Sequence, residues 1–419
     1  MFATLRQRNF ALLWFAGLIS LTGDWILFVA LPFHVYQLTG STLATGLMLI
    51  ANTMPAVLLG SLAGVFVDRW DRKRTMVIVS LLQGGLLLLL LLAQSVDWLW
   101  ILYLVALIES VLAQFFGPAE NSLLPRLVSK EHLVEANSWN TLNKNLAMLI
   151  GPALGGALIG WWGLPGIVLL DSASFLAGGA MIWLISESCA TSLDLVERVE
   201  FAGATNRSAS AAGKRLWREW VEGIQFVKTD HSISAVFVAG GVAVFGEGIF
   251  AVLLIPFVGL FHGGALVFGW LLTIRGLGGL LGGVVAGQSS RFVTPRRLFP
   301  LSLGLIGVLA LVMYNASSLA WVLVILFSVG VPAMGAQVSS QTLFQSRVGD
   351  SYRGRVFGAF GSTIALLMLG GQGLASVLGD HAGIVALLNV GGGLYVVAGL
   401  VALLMMHRQR DSGLDAIPS

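Results

Sequence analysis

Apolar runs of about twenty residues or more recur along this chain, divided by short polar turns, and nothing else limits its fold so strongly. They lie at 10–36, 44–67, 75–93, 98–119, 139–160 and 164–185, then at 233–259, 265–288, 297–314, 319–343, 356–378 and 383–406. A bilayer core takes roughly 20 apolar residues of helix, so each run is long enough to cross once. In hydrocarbon every backbone N–H and C=O must be satisfied within the segment, which makes helix the form for such runs. Composition agrees: 56% of residues are hydrophobic, 11% are charged and the mean hydropathy is +0.86. A soluble domain of 419 residues has no way to hide so much apolar surface. The expected fold class is an all-α membrane protein with twelve transmembrane helices. The first, seventh and tenth runs are long enough to tilt or kink. A cleaved signal peptide is set aside, because the run behind Arg6 and Arg8 is too long for one and contains Asp24.

The cations give the orientation. With the N-terminus in the cytoplasm, the inside segments hold Arg6 and Arg8; Arg69, Arg72, Lys73 and Arg74; Arg126 and Lys130. A long central segment adds Arg198, Arg207, Lys214, Arg215, Arg218 and Lys228. Later come Arg291, Arg296 and Arg297; Arg347, Arg353 and Arg355; Arg408 and Arg410. Of 24 lysines and arginines only Lys144 and Arg275 fall within runs, and the outside loops carry none. The positive-inside rule therefore predicts a multi-pass protein of the cell membrane with both termini cytoplasmic. It also excludes nucleic acid as a partner despite a pI near 9.2, because the cations line one membrane face. Cys189 is the single cysteine and the histidines are dispersed, leaving no disulfide framework or zinc site. No phosphate-cradling loop and no paired catalytic constellation occurs, so neither an enzyme nor a cofactor is expected and an ion gradient supplies the energy.

Three parts follow: a bundle over 1–186, a cytoplasmic linker over 187–231 and a second bundle over 232–419. Within the linker "AGATNRSASAAG", 202–213, reads as a flexible tract. "KRLWREWVEGIQFVK" then places Leu216, Trp220, Ile224 and Val227 on one helical face, with Arg215, Arg218, Glu219, Glu222 and Lys228 mostly opposite. This predicts an amphipathic helix lying in the membrane interface plane. The two bundles echo each other. "AGVFVDRWDRKR" after the second run matches "AGQSSRFVTPRR" after the eighth, and "GPALGGALIG" has a loose counterpart in "LGGQGLASVLG". Six-helix repeats suggest a transporter that alternates access around a midplane site.

Two motifs bear on mechanism. In Gly64-x-x-x-Asp68-Arg69-x-Asp71-Arg72-Lys73, Gly64 is expected to end a helix and Asp68 to accept bonds from a neighbouring helix N-terminus. The arginines would pair across the inner mouth, and the same basic loop sets topology. In "LIGPALGGALIG", 149–160, Gly151, Gly155, Gly156 and Gly160 make overlapping small-xxx-small faces beside Pro152. "RGLGGLLGG" in the eighth run is the expected partner. The first motif resembles the loop between the second and third helices of the major facilitator superfamily, where a glycine usually stands in place of Asp71. The second resembles the superfamily motif associated with exporters that exchange substrate for protons. The first run, "FFGPAENSLLPRLV" and "ANSWNTLN" resemble most closely the macrolide-efflux and siderophore-exporter branch, over most of the first half and more loosely beyond.

That resemblance implies two six-helix bundles, a gating loop formed by Gly64, Asp68, Arg69, Arg72 and Lys73, and an antiporter-type helix carrying Gly151, Pro152, Gly155 and Gly156. It implies proton-coupled export of amphipathic drug-like compounds such as macrolides, by a monomer among membrane lipids. A siderophore or lysophospholipid exporter, or a scaffold that has lost transport, are the alternatives.

Ionisable groups inside spans are costly and mark function. Asp24 sits at mid-span with Gly17, Ser20 and Gly23 on or beside its face; Glu109, Glu247 and Arg275 lie at mid-depth in the fourth, seventh and eighth runs. Burial would bring a carboxyl toward neutral pH, where it can load and release protons. A fixed ion pair, for example Arg275 with Glu247, is the competing reading. Asp171 in "LLDSASF" is read as packing. Asn140 and Asn143 either face an inner vestibule or bond between helices, near Asn137, Lys144 and Asn145.

Overall fold

The computed structural model describes residues 4–67, 70–186, 218, 220–289 and 293–411. Among these residues eleven helices are long and apolar enough to cross a membrane. We label them α1 (Arg8–Thr39), α2 (Thr42–Val67), α3 (Arg72–Leu87), α4 (Leu99–Leu127), α5 (Leu133–Trp183), α6 (His231–Gly259), α7 (Ala265–Ser289), α8 (Pro295–Tyr314), α9 (Leu319–Arg347), α10 (Asp350–Ala382) and α11 (Ile384–Asp411). At 51 residues α5 is too long for one crossing, and it breaks at Gly163, whose φ of 62° and ψ of −172° suit a residue without Cβ. Its two limbs, before and after Gly163, complete the twelve spans. A 3-10 stretch, Leu88–Leu92, extends α3.

Large apolar side chains point outward all along these helices, from Trp161 at 76% exposed to Leu404 at 65%, as lipid-facing surfaces do. Where a helix begins at a polar boundary, a side chain caps it. Asp71 Oδ1 accepts from Arg74 N at 2.7 Å to open α3, and Asp230 Oδ1 accepts from Ser232 N at 2.7 Å to open α6.

The chain forms two compact units. The first comprises Met1–Gly40, Leu47–Arg207 and Gly263–Thr273; the second comprises Ser41–Gly46, Ser208–His262 and Ile274–Ser419. In the first, α1 lies along both limbs of α5. Gly155 brings backbone against Ile26, Gly178 meets Ser20, and Trp14 Nε1 donates to the Trp139 carbonyl at 2.8 Å. The second limb also meets α3, where Ser172 Oγ donates to Gly84 O at 2.6 Å. In the second unit α6 packs on α10 through Gly248 and Gly371, and on α11 through Gly246 and Gly391. Phe237, Phe344 and Phe360 fill the core between them. Small residues let helices touch through backbone where no hydrophobic effect drives them together.

Three expectations change. Gly64 does not end its helix: α2 continues through it to Val67. The fourth span runs on to Leu127, because Pro118 and Pro125 sit inside α4 without stopping it. The apolar face of the linker helix, residues 220–227, is not left for the membrane interface. Trp220, Ile224 and Val227 pack on the core of the second unit, and Glu222 pairs with Arg355 of α10 at 3.1 Å. The fifth and eighth spans do meet, at Gly156 and Gly269, while within the "RGLGGLLGG" tract Gly278 and Gly282 stand on Phe327 and Val331 of α9. Glycine spacing reveals a surface for close approach but does not say which helix uses it. The tract 202–213 and Arg215, Leu216 and Glu219 lie outside the described residues.

Candidate functional site

Three mid-span carboxyl groups gather in the first unit. Asp24, half-buried on α1, follows Gly23, and a methyl group at Gly23 would collide with Asp171 Oδ1 and stand 2.8 Å from Ser174 Oγ. Asp171, on the second limb of α5, is fully buried. Ser174 Oγ lies 3.0 Å from its Oδ1, while Oδ2 has no hydrogen-bond partner. Glu109 approaches from α4. Gln83 of α3, itself 2% exposed, stands beside its carboxyl group, and Oε1 is left without a partner. Asp24 and Asp171 both act on Glu109 through their charge, and no arginine or lysine among the described residues is paired with any of the three.

Toward the C-terminal end of α4 in the same unit lies a fourth acid, Glu120, 5% exposed. Asn140 and the exposed Lys144 stand near it. Asn143 is fully buried and its Nδ2 donates to the Trp14 carbonyl at 2.8 Å, so it ties α5 to α1. Asn137 is exposed and bonds its own helix at Leu133 O. Sequence reasoning missed Glu120 because it ended the fourth span at 119. It read Asp171, near the outer end of its span, as packing; the structure sets it against Gly23, beside Asp24.

The second unit treats its acid differently. Glu247 Oε1 lies 2.6 Å from Arg275 Nη1, and Tyr395 Oη donates to Oε2 at 2.7 Å. The guanidinium sits 5.4 Å over the Phe250 ring, and Tyr314 lies against Phe250 and Phe257. Both members of the ion pair are about a quarter exposed, at 27% and 24%. The structure thus brings Glu247 and Arg275 together as a closed pair with an aromatic surround.

In the loop after α2, Lys73 Nζ donates to Ile185 O at 2.7 Å and Asp71 is the helix cap already described. Arg72 is half-buried, with Nε unpartnered; Asp68 and Arg69 lie outside the described residues. In the glycine motif, Gly151 rests on Trp25 and Gly155 on Ile26 of α1. Gly156 meets the start of α7 within the first unit: a methyl there would stand 2.5 Å from Ala265 O and 3.1 Å from Gly269 Cα. A methyl at Gly269 would in turn collide with the Pro152 carbonyl.

Against this geometry the comparisons are direct. Structural similarity is high to a bacterial homologue of the iron transporter ferroportin in an inward-facing state, with a TM-score of 0.76 and 18% identity over 96% of this chain and 99% of that one. In sequence the chain is 26% identical to an uncharacterized MFS-type transporter, YfiS, of Bacillus subtilis (strain 168), covering 95% of this chain and 93% of the relative. It is 24% identical to macrolide efflux protein A of Streptococcus pyogenes, over 90% and 91%. It is 28% identical to the multidrug efflux pump Tap of Mycolicibacterium fortuitum, over 89% and 90%. These are transporters and not enzymes, and the model of the Major Facilitator Superfamily matches residues 13–364. The chain belongs to the Major Facilitator Superfamily.

Proposed function

We propose that this transporter expels amphipathic, drug-like compounds from the cell in exchange for protons, alternating access across the cell membrane with both termini in the cytoplasm. The observation that carries the reading is the group of Asp24, Asp171 and Glu109, three carboxyl groups at mid-span with no cation among the described residues paired to them. Such groups are costly in a membrane interior, and a protein that only needed to fold would have no use for them. Proton exchange gives them one. A cargo that leaves as protons enter needs a carboxyl group that opens to one side at a time. The names of the macrolide and multidrug efflux relatives support the cargo class, and the glycine motif of the first limb of α5 supports export in exchange for protons.

The anionic-cargo alternative, a siderophore or lysophospholipid held by Arg275, has less to stand on, because Arg275 is engaged by Glu247. Proton release from protein in proteoliposomes, measured while a panel of macrolides and lipophilic cations is added, tests the proposal. Release that disappears in Asp24→Asn supports it. Silence across the panel from folded protein removes it.

A further inference from the structure

The two units repeat one dipeptide. Gly23–Asp24 on α1 and Gly246–Glu247 on α6 are separated by the same interval that carries Gly64 onto Gly287. In each unit the glycine packs the first helix on the last. Gly23 meets Asp171 and Ser174 of the second limb of α5, and Gly246 meets Gly391 of α11. The acids that follow have opposite company. Glu247 has Arg275 at 2.6 Å and a tyrosine hydroxyl at 2.7 Å. Asp24 has a second acid: Asp171 is the charged group that acts on it.

Two carboxylates in a membrane interior repel strongly, and no cation among the described residues is paired with them to relieve it. The first unit must therefore obtain from protons the neutrality that the second obtains from Arg275. Asp171 is suited to this role, since Ser174 steadies one oxygen and the other, fully buried, is unpartnered. Among the described residues the further titratable group beside the pair is Glu109 from α4, with Gln83 of α3 next to it. Farther along the same limb of α5, Gly178 and Gly179 meet Ser20 of α1 and Ser80 of α3, and Ser172 Oγ donates to Gly84 O of α3.

We propose that Asp171 is the second half of the coupling centre: Asp24 and Asp171 share one proton and take up and release another during each cycle. The proposal rests on the proton-coupled reading above. On release, the O–H bond breaks toward solvent water, its electron pair stays on the carboxylate oxygen, and the pair passes from neutral to one negative charge. Loading reverses the step. Asp171 is thus a proton-carrying residue and not a packing residue, a role that Asn could not fill although it has the same shape.

The test compares wild type with Asp24→Asn, Asp171→Asn and Asp171→Glu in proteoliposomes, using ethidium as the cargo. Ethidium-induced proton release and the pH profile of ethidium efflux are both recorded. Expected are loss of release and a flat pH profile in Asp171→Asn, the same in Asp24→Asn, and partial recovery in Asp171→Glu. Wild-type release and profile in Asp171→Asn, with loss in Asp24→Asn, overturn this inference alone. Absence of release from wild type overturns the coupling reading and this inference with it. Should Asp171→Asn fail to fold, the infrared carboxyl C=O stretch of wild type and Asp24→Asn decides. A protonated-carboxyl band that shifts in Asp24→Asn supports a shared proton, and an unmoved band refutes it.

Discussion

Arg275 Nη1 and Glu247 Oε1 lie 2.6 Å apart at mid-depth in the second unit, and the hydroxyl of Tyr395 holds the other carboxylate oxygen. Removing one partner strands the other where hydration is poor. Breaking a fully buried pair costs about 3–5 kcal/mol. With each side chain about a quarter exposed, a loss of about 2 kcal/mol is the better figure. Arg275→Met should therefore lower the melting temperature in detergent, and Glu247→Gln/Arg275→Met should regain most of it. A double variant no more stable than Arg275→Met would show that the pair contributes through packing.

Asp71 stands where the family loop usually has glycine, and here its carboxylate caps α3. Asp71→Ala should cost about 1 kcal/mol, whereas Asp71→Gly should cost only a few tenths, roughly 0.3 kcal/mol. Thermal unfolding of the two variants side by side checks this. Equal losses would mean that the cap bond contributes little.

Gly156→Val would drive a branched side chain into Ala265 O and Gly269. Overpacking of this kind costs about 1–3 kcal/mol. Gly160, with open space around it, should accept alanine without loss. Ethidium efflux should fall in Gly156→Val and stay near wild type in Gly160→Ala, and equal behaviour of the two would contradict the contact.

At the linker helix, Gly223 lies against Arg355 O and Ala359 Cβ, whereas Glu222 and Arg355 form a pair more than a third exposed. Gly223→Val should therefore be far more damaging than Glu222→Ala, which should change stability by less than about 1 kcal/mol. Limited proteolysis of the linker measures both. A Glu222→Ala protein cleaved as fast as Gly223→Val would place the ion pair, and not the close approach, at the centre of docking.

Much of this protein is legible in its amino-acid sequence. Run length marks the spans, and two opposite charges at mid-depth make Arg275 with Glu247 a foreseeable pair. Partner choice is what the sequence leaves open. Asp171 becomes part of a site because Gly23 lets α1 come against it, a contact between residues far apart in sequence. Glu120 is hidden by Pro118 and Pro125, which punctuate a soluble helix but are tolerated inside α4. The linker helix shows an apolar face that lipid or protein could cover equally well, and protein covers it.

The closed Glu247–Arg275 pair has an electrical consequence. An elementary charge crossing the full membrane potential exchanges about 2.3 kcal/mol per 100 mV. A carboxylate joined to a guanidinium offers that field no net charge at mid-depth, so the voltage has little hold on the second unit there. Under the proposed proton coupling, the field would act instead on the acids of the first unit, whose charge would change as protons come and go. On this reading, membrane voltage enters the transport cycle through one half of a duplicated molecule, because among the described residues the mid-span acid of the other half is the one held by an arginine.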